Sequence, residues 1–206
     1  MVAYKPFRKS ATRNTKQIHY LIVTTGKETE INYFKAFYES LDENIKKYIT
    51  IDYEICPINK LIKKASEKAS QYPNTYRVWL VFDTDKDTKI IREVVNDTHV
   101  YGYNIAFSNP CIELWFLAYF GKSPTYKNNP NLTASKKCIN DLKKYISEYE
   151  KNDKKIYEIL TTEGSEIKAI NIARKKHSSY KNIHILEMYG ATNMYKLIEE
   201  IRKPYT

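Results

Sequence analysis

Four short apolar segments alternate with stretches of helical periodicity, and this alternation most constrains the fold of the chain. The segments are residues 18–24, 49–55, 77–82 and 103–107. The first is a continuous β-branched run, typical of a strand covered on both faces, whereas the second alternates apolar and polar residues, as in a half-buried strand nearer a sheet edge. Strands that alternate with helices across short connections predict βαβ units with right-handed crossovers. We therefore expect an α/β fold with a mostly parallel four-stranded sheet flanked by helices.

The segments between and after these strands predict helices. Thr29 is expected to cap a first helix that runs to Leu41, and residues 88–96 and 111–120 also have helical character. Helical periodicity then continues through residues 134–203. A chain of 206 residues is long enough for one well-buried core. We predict one domain in three parts: a basic N-terminal arm over residues 1–17, an α/β core over residues 18–122, and a helical C-terminal part over residues 123–206.

The composition favours a folded cytoplasmic protein. Hydrophobic residues make up 42% of the chain, which argues against intrinsic disorder. No run of about 18 apolar residues is present, and no apolar segment follows the basic N-terminus, so neither membrane insertion nor export is indicated. Cys56, Cys111 and Cys138 are odd in number and widely spaced. They indicate neither a disulfide framework nor a zinc site.

The formal net charge of +10 points to a polyanionic partner, and nucleic acid is the usual one. Residues 1–17 contain five basic residues and no acidic residue. An arm of this kind is suited to phosphate contacts, for which Arg8, Lys9 and Arg13 are our candidates. Two alternatives stay open: the arm is a solvated terminus, or the charge reflects a genome that favours Lys, Ile, Asn and Tyr.

Acidic residues follow the predicted strands at their carboxyl ends. Ligands of open parallel sheets bind at this edge. Carboxylates gathered there repel one another unless a cation offsets their charge, and Mg²⁺ prefers such oxygen ligands. The alternative is that the acids only cap helices or favour helix N-termini. The candidates are Glu28, Glu30, Asp83, Asp85, Asp87 and Glu113.

Several segments together resemble the RloB family: residues 20–34, 78–85 and 106–116 occur in the family's order, and residues 191–198 resemble its end. The most specific of them, residues 106–116, contains a Ser-Asn-Pro-Cys-x-Glu-Leu-Trp run. The family resembles Toprim-type proteins of prokaryotic defence loci and is often encoded beside an ABC-type ATPase. The resemblance implies a Toprim-like core and Mg²⁺ or Mn²⁺ held for phosphodiester chemistry. Asp83 and Asp85 match the Asp-x-Asp motif of such sites.

One position departs from the family pattern. The family usually has Glu-Gly where this chain has Thr25-Gly26, and a hydroxyl cannot replace a carboxylate as an anionic ligand or general base. Glu30 is our preferred substitute, as a metal ligand beside Asp83 and Asp85. Glu113, which matches the Ser-Asn-Pro-Cys-x-Glu run, is expected to complete the catalytic site. Asn109 is a candidate to orient a phosphate, or it only forms the turn before Pro110.

Two functions from different classes follow. The first is a Mg²⁺-dependent nuclease, or related phosphodiester-cleaving effector, of an antiphage or abortive-infection system that acts with an ABC-type ATPase. The second is a catalytically weak subunit that binds nucleic acid or the ATPase. A haloacid-dehalogenase phosphohydrolase fits poorly, because that motif has Thr or Val two residues after its second aspartate, where this chain has Asp87. The sequence leaves the choice of DNA or RNA, the trigger and the oligomeric state open.

Overall fold

A computed structural model describes residues 17–71, 76–85 and 87–203. Its sheet has the strand order β2-β1-β3-β4, and every neighbouring pair is parallel. The predicted α/β architecture is therefore confirmed, with a sheet that is parallel throughout its described strands. The arrangement is also consistent with the expected Toprim-like core. The strands are β1 (Ile18–Thr24), β2 (Ile49–Ile55), β3 (Tyr76–Asp83) and β4 (Asn104–Ser108).

Helices connect the strands, and five α-helices follow β4 in the described residues; the helical periodicity expected through residues 134–203 is interrupted at residues 143–155 and 179–184. No helix within the described ranges is long and apolar enough to cross a membrane. The helix predicted over residues 88–96 is longer in the structure, because α4 continues until Gly102 ends it in the left-handed conformation. The α-helices of the described residues are α1 (Thr29–Glu39), α2 (Glu43–Lys46), α3 (Leu61–Ala69), α4 (Thr88–Tyr101), α5 (Glu113–Tyr119), α6 (Ala134–Leu142), α7 (Ile156–Glu163), α8 (Glu166–Ser178) and α9 (Met194–Arg202).

Both faces of the sheet are covered, as the continuous apolar run of β1 predicts. Tyr20 and Ile22 pack in one hydrophobic cluster with α1 and with helices from α5 onward. Leu21 and Val23 point to the opposite face, where α3 and α4 form a second cluster. Successive side chains of a strand alternate between faces, so a central strand needs apolar residues at every position. The buried side chains of β1 therefore belong alternately to the two clusters.

The strand order fixes where a ligand crevice lies. From β1 the chain passes through α1, over one face of the sheet, to β2 on one side. From β3 it passes through α4, over the other face, to β4 on the other side. The chain therefore leaves neighbouring strands β1 and β3 in opposite directions. A crevice opens at such a switch point, outside the carboxyl ends of the two strands. The residues after β1 and β3 are consequently the ones that line it.

The free edge of β4 is covered by the segment before α9. The backbone N–H of Phe107 donates to Asn193 Oδ1 at 2.7 Å, and Asn193 Nδ2 donates to the Ile105 carbonyl at 2.9 Å. Thr192 forms an antiparallel bridge with Ser108. Exposed strand edges invite pairing with other chains, and these contacts satisfy the edge internally. The residues that resemble the end of the RloB family therefore have a structural role in the sheet.

Candidate active site

A cavity of about 490 Å³ lies at the switch point between β1 and β3. Its walls come from the loop after β1 and the start of α1, the loop after β3, and two segments from elsewhere in the chain. Its charged lining residues are four acids and two lysines. The lining residues are Thr25, Gly26, Lys27, Glu28, Thr29, Glu30, Pro57, Ile58, Asp83, Asp85, Ile112 and Lys151.

Glu30 is positioned by the glycine that follows β1. A Cβ atom on Gly26 would lie 1.6–2.1 Å from the carboxylate atoms of Glu30, so this side chain occupies the space that any larger residue at position 26 would need. The backbone there is fixed as well, because the Gly26 N–H donates to Thr24 Oγ1 at 3.0 Å and the Thr25 N–H donates to the Val81 carbonyl at 3.2 Å. Glu30 is 5% exposed. Its carboxylate thus lies beside Gly26, next to the residue that replaces the usual family glutamate.

Asp83 is the last residue of β3 and the electrostatic centre of the site. Burial raises its pKa well above the ordinary value for an aspartate, and the negative charges of Glu30, Glu113 and Asp85 raise it further. Lys151 acts in the opposite direction. These four carboxylates come from the start of α1, the end of β3 with its loop, and the start of α5, and we call them the acidic cluster. The tertiary structure therefore brings Glu30, Asp83 and Asp85 to one cavity, whereas Glu113 does not line that cavity and acts on Asp83 through its charge.

Asp85 and Asp87 have different roles although they are two residues apart. Ser135 of α6 donates from its hydroxyl to Asp85 Oδ2 at 2.7 Å, and Asp85 lines the cavity. Asp87 instead caps α4, because its Oδ1 accepts a hydrogen bond from the Ile90 N–H at 3.3 Å. Helix capping, one of the two interpretations of the acids after β3, thus applies to Asp87. Asp87 does not line the cavity.

Glu113 begins α5 and has no exposed surface. Its Oε1 accepts a hydrogen bond from the Tyr149 hydroxyl at 2.9 Å and lies 3.6 Å from Lys151 Nζ. Burial, together with the charge of Glu113, raises the pKa of Tyr149, so the hydroxyl keeps the proton that it donates. Glu113 Oε2 is buried and has no hydrogen-bond partner among the described residues. A buried carboxylate oxygen without a partner is costly, and it suits a ligand that supplies positive charge.

Lys151 is a residue of the site that the sequence analysis did not identify. It lies in the turn-rich connection between α6 and α7, 38 positions after Glu113, and no motif marks it. Its backbone carbonyl accepts a hydrogen bond from Thr29 Oγ1 at 2.6 Å. The prediction that Thr29 caps α1 is therefore wrong: Glu28 precedes the helix, and the Thr29 hydroxyl fastens a distant segment instead. Partial burial opposes the charge of Lys151, but nearby acids, led by Glu113, outweigh it and raise its pKa.

Of the four predicted nucleic-acid contacts, the structure describes only Asn109. Arg8, Lys9 and Arg13 lie outside the described residues, so the role of the basic arm stays a prediction. Asn109 is 6% exposed, and its Nδ2 donates to the carbonyls of Ile185 and Leu186 at 3.0 and 3.2 Å. Both amide hydrogens are thus directed to backbone oxygens. These contacts favour the turn-forming interpretation of Asn109.

The acidic cluster suits a divalent cation in the chemistry of its donors. Four carboxylates supply hard oxygen ligands, burial followed by the charges of the other three raises the pKa of Asp83, and Glu113 Oε2 has no partner in the described structure. The side chains, however, are not close enough together to form a finished metal site. Within residues 17–71, 76–85 and 87–203, no three His, Cys, Asp or Glu side chains stand together closely enough to hold a metal ion. Binding would therefore require the carboxylates to draw together around the ion.

The fold and the site define an α/β protein with an acidic cluster at the switch point of a parallel sheet. The family model for RloB-like proteins matches residues 20–201. The chain therefore belongs to the RloB-like family, which confirms the resemblance seen in the sequence motifs. No curated protein and no solved structure was found to match the chain.

Proposed function

We propose that this protein is a Mg²⁺-dependent, phosphodiester-cleaving enzyme that acts on nucleic acid in a prokaryotic defence system. The observation that carries the proposal is the convergence of the acidic cluster on Asp83 at the switch point of the sheet. Asp83, Asp85 and Glu30 would hold the cation. When bound, such an ion activates water and stabilises negative charge on a phosphate. Mn²⁺ is the alternative ion with the same ligand preference.

The residues of the site have separate tasks under this proposal. Asp83 stands at the end of a central strand and Glu30 lies against Gly26, so both carboxylates are held by rigid backbone. Ser135 orients Asp85 through its hydrogen bond. Glu113 is held by Tyr149 and adds its negative charge to that acting on Asp83. Rigid placement of this kind reduces the reorganisation needed when substrate binds.

The test is a cleavage assay with a matched aspartate control. The purified protein is incubated with end-labelled single-stranded and duplex DNA and RNA, with Mg²⁺ or Mn²⁺, alone and with its cognate ABC-type ATPase. We expect Asp83→Asn to reduce the cleavage rate by about 100-fold or more, because it removes a charged ligand. Asp87→Asn makes the same chemical change in the same loop, and asparagine also caps helices. The cleavage rate of this variant should therefore stay within about twofold of the parent rate. Absence of cleavage under all these conditions would contradict the proposal.

A catalytically weak subunit that binds nucleic acid or the ABC-type ATPase is the second candidate function. Thr25 favours it, because a hydroxyl stands where the family usually has a carboxylate. The absence of a gathered three-ligand group among the described residues also favours it. This hypothesis predicts that Asp83→Ala combined with Asp85→Ala changes no reaction rate and leaves binding to nucleic acid or to the ATPase intact. A cleavage activity that depends on Asp83 excludes it.

A further inference from the structure

Positive charge is concentrated between α5 and α7, in the segment that contains Lys151. Residues 122–155 contain nine lysines and four acidic residues, a formal charge of +5, whereas residues 18–121 contain 12 basic and 14 acidic residues. The sheet and its acids are thus slightly negative, and the segment between α5 and α7 is strongly basic. We call residues 143–155, which join α6 to α7, the α6–α7 connection; it contains five of these lysines and three of the acidic residues, a formal charge of +2.

The α6–α7 connection, from which Lys151 lines the cavity, is held in place by side chains of α1 and by Glu113. Thr29 Oγ1 donates to the Lys151 carbonyl at 2.6 Å, and Asn32 Nδ2 donates to the Asn152 carbonyl at 3.0 Å. Tyr149, which is 2% exposed, donates to Glu113 Oε1. Three hydrogen bonds to elements distant in sequence therefore fix the backbone on either side of the Lys151 side chain.

The Lys151 side chain has access both to the acids and to solvent. Its ammonium lies 3.6 Å from Glu113 Oε1, yet 61% of the side chain is exposed. Lys154 and Lys155 follow on the same connection, are exposed, and form no ion pair with any residue that the structure describes. An approaching polyanion is repelled by an acidic cluster, so it needs cationic groups at the entrance to offset that repulsion. Lys151 lies at this position.

We propose that the α6–α7 connection binds the phosphate backbone of a nucleic acid, and that Lys151 contacts the phosphate that enters the cavity. The choice of nucleic acid as the polyanion rests on the function proposed above. The competing role, in which Lys151 only neutralises Glu113, predicts an unchanged salt slope of nucleic-acid binding when Lys151 is replaced by glutamine, because no phosphate contact is lost. Binding measured without cleavage therefore separates the two roles.

The experiment measures binding by fluorescence anisotropy in EDTA, where metal-dependent cleavage cannot occur. Labelled oligonucleotides of about 20 nucleotides, as single-stranded and duplex DNA and RNA, are titrated at several salt concentrations. We expect Lys151→Gln to weaken binding about five- to tenfold and to lower the salt slope by about one, because one phosphate contact is lost. Lys151→Arg keeps the charge and should bind within about twofold of the parent. Lys175→Gln, an equal charge change on an exposed lysine of α8 that does not line the cavity, should have less than a twofold effect.

A second variant keeps the test independent of the folding of the site. Lys154→Gln combined with Lys155→Gln alters two exposed side chains, and we expect it to lower the salt slope by about two. An unchanged salt slope in Lys151→Gln overturns the proposal even if the affinity falls, as does an equal loss in Lys175→Gln or a parent protein that binds no nucleic acid. Binding that depends on Lys151 in a protein that cleaves nothing with Mg²⁺ or Mn²⁺ would refute the enzymatic function and retain this surface. The two failures are therefore distinguishable.

Discussion

Replacing Gly26 by alanine should impair the site while leaving the fold stable. The added Cβ would lie 1.6 Å from Glu30 Oε2, whereas real Cβ atoms essentially never approach another atom closer than 3.0 Å. The oxygen must therefore move by about 1.4 Å. The atoms in the way belong to the tip of a flexible side chain and not to the backbone, so the chain accommodates alanine by turning Glu30 away from its position.

The two consequences of Gly26→Ala differ in size. A misplacement of about 1 Å in a reacting group can cost about 100-fold in rate, which corresponds to about 2.7 kcal/mol of activation free energy. The free energy of unfolding should change by less than about 1 kcal/mol. Alanine lowers the conformational entropy of the unfolded chain, and this stabilisation offsets the contacts that the displaced Glu30 carboxylate loses. We therefore expect a variant that is folded, has nearly the parent melting temperature, and is about 100-fold slower in cleavage.

The assay pairs cleavage rates with thermal unfolding in the presence and absence of Mn²⁺. Gly26→Ala, Glu30→Ala and the double variant are compared. If Gly26 acts through Glu30, the double variant has the rate of Glu30→Ala within about twofold, because alanine at position 30 leaves room for the new Cβ. The Mn²⁺-induced rise in melting temperature should fall alike in all three. Parent-like activity in Gly26→Ala, or a melting temperature lower by more than 10 °C, would refute the reasoning.

Three further predictions concern the core, the pH dependence and the departure from the family pattern. Tyr33→Phe removes the buried hydrogen bonds that the Tyr33 hydroxyl makes with Tyr119 and Trp115, both at 2.8 Å, and leaves the Trp115 donor unsatisfied. Urea denaturation should show a loss of about 2–4 kcal/mol. Burial lowers the pKa of His177, so the unfolded chain binds the proton first on acidification, and stability falls as pH drops through about 6.5. His177→Gln should lose less unfolding free energy between about pH 7 and 5 in thermal melts. Thr25→Glu adds a carboxylate beside the acidic cluster and should raise Mn²⁺ affinity at least about fivefold in calorimetric titration.

Each of these three predictions has a result that contradicts it. Tyr101→Phe, at a tyrosine that is 52% exposed, is the control for the core and should stay within about 0.5 kcal/mol of the parent. A Tyr33→Phe loss no larger than that argues against the buried network. An equal fall in stability on acidification in the parent and in His177→Gln excludes that histidine as the titrating group. Unchanged Mn²⁺ affinity in Thr25→Glu shows that position 25 does not face the ion.

The strands and the candidate carboxylates could be predicted because their signals are local. The run Ile18–Thr24 is apolar on both faces, and the structure places it at the centre of the sheet. The alternating run Ile49–Ile55 forms an edge strand, as its pattern indicates. Asp83 and Asp85 follow the most apolar strand directly, so their place at its carboxyl end was fixed by position alone. Local periodicity and the rules of parallel sheets were sufficient for these assignments.

The supporting contacts of the site could not be predicted, because they join residues far apart in sequence. Ser135 holds Asp85 across 50 positions, and Tyr149 holds Glu113 across 36. Neither residue has a motif, and both lie in segments whose only signal is helical periodicity. Thr29 shows how a local rule fails here: its type and position favour capping, yet a carbonyl 122 positions away accepts its hydrogen bond.

The sequence by itself determined the strand–helix alternation, the parallel sheet and the family, since each depends on residue types at short spacing. Only the tertiary structure decided that Asp87 caps a helix whereas Asp85 lines the cavity, and that Lys151 accompanies Glu113. The physical reason is that the local pattern of apolar and polar residues sets the order of strands and helices. Packing of the α6–α7 connection on α1, by contrast, brings Lys151 to Glu113. The sequence therefore supplies the candidate acids at the strand ends, and the tertiary structure decides which of them stand together and beside which cation.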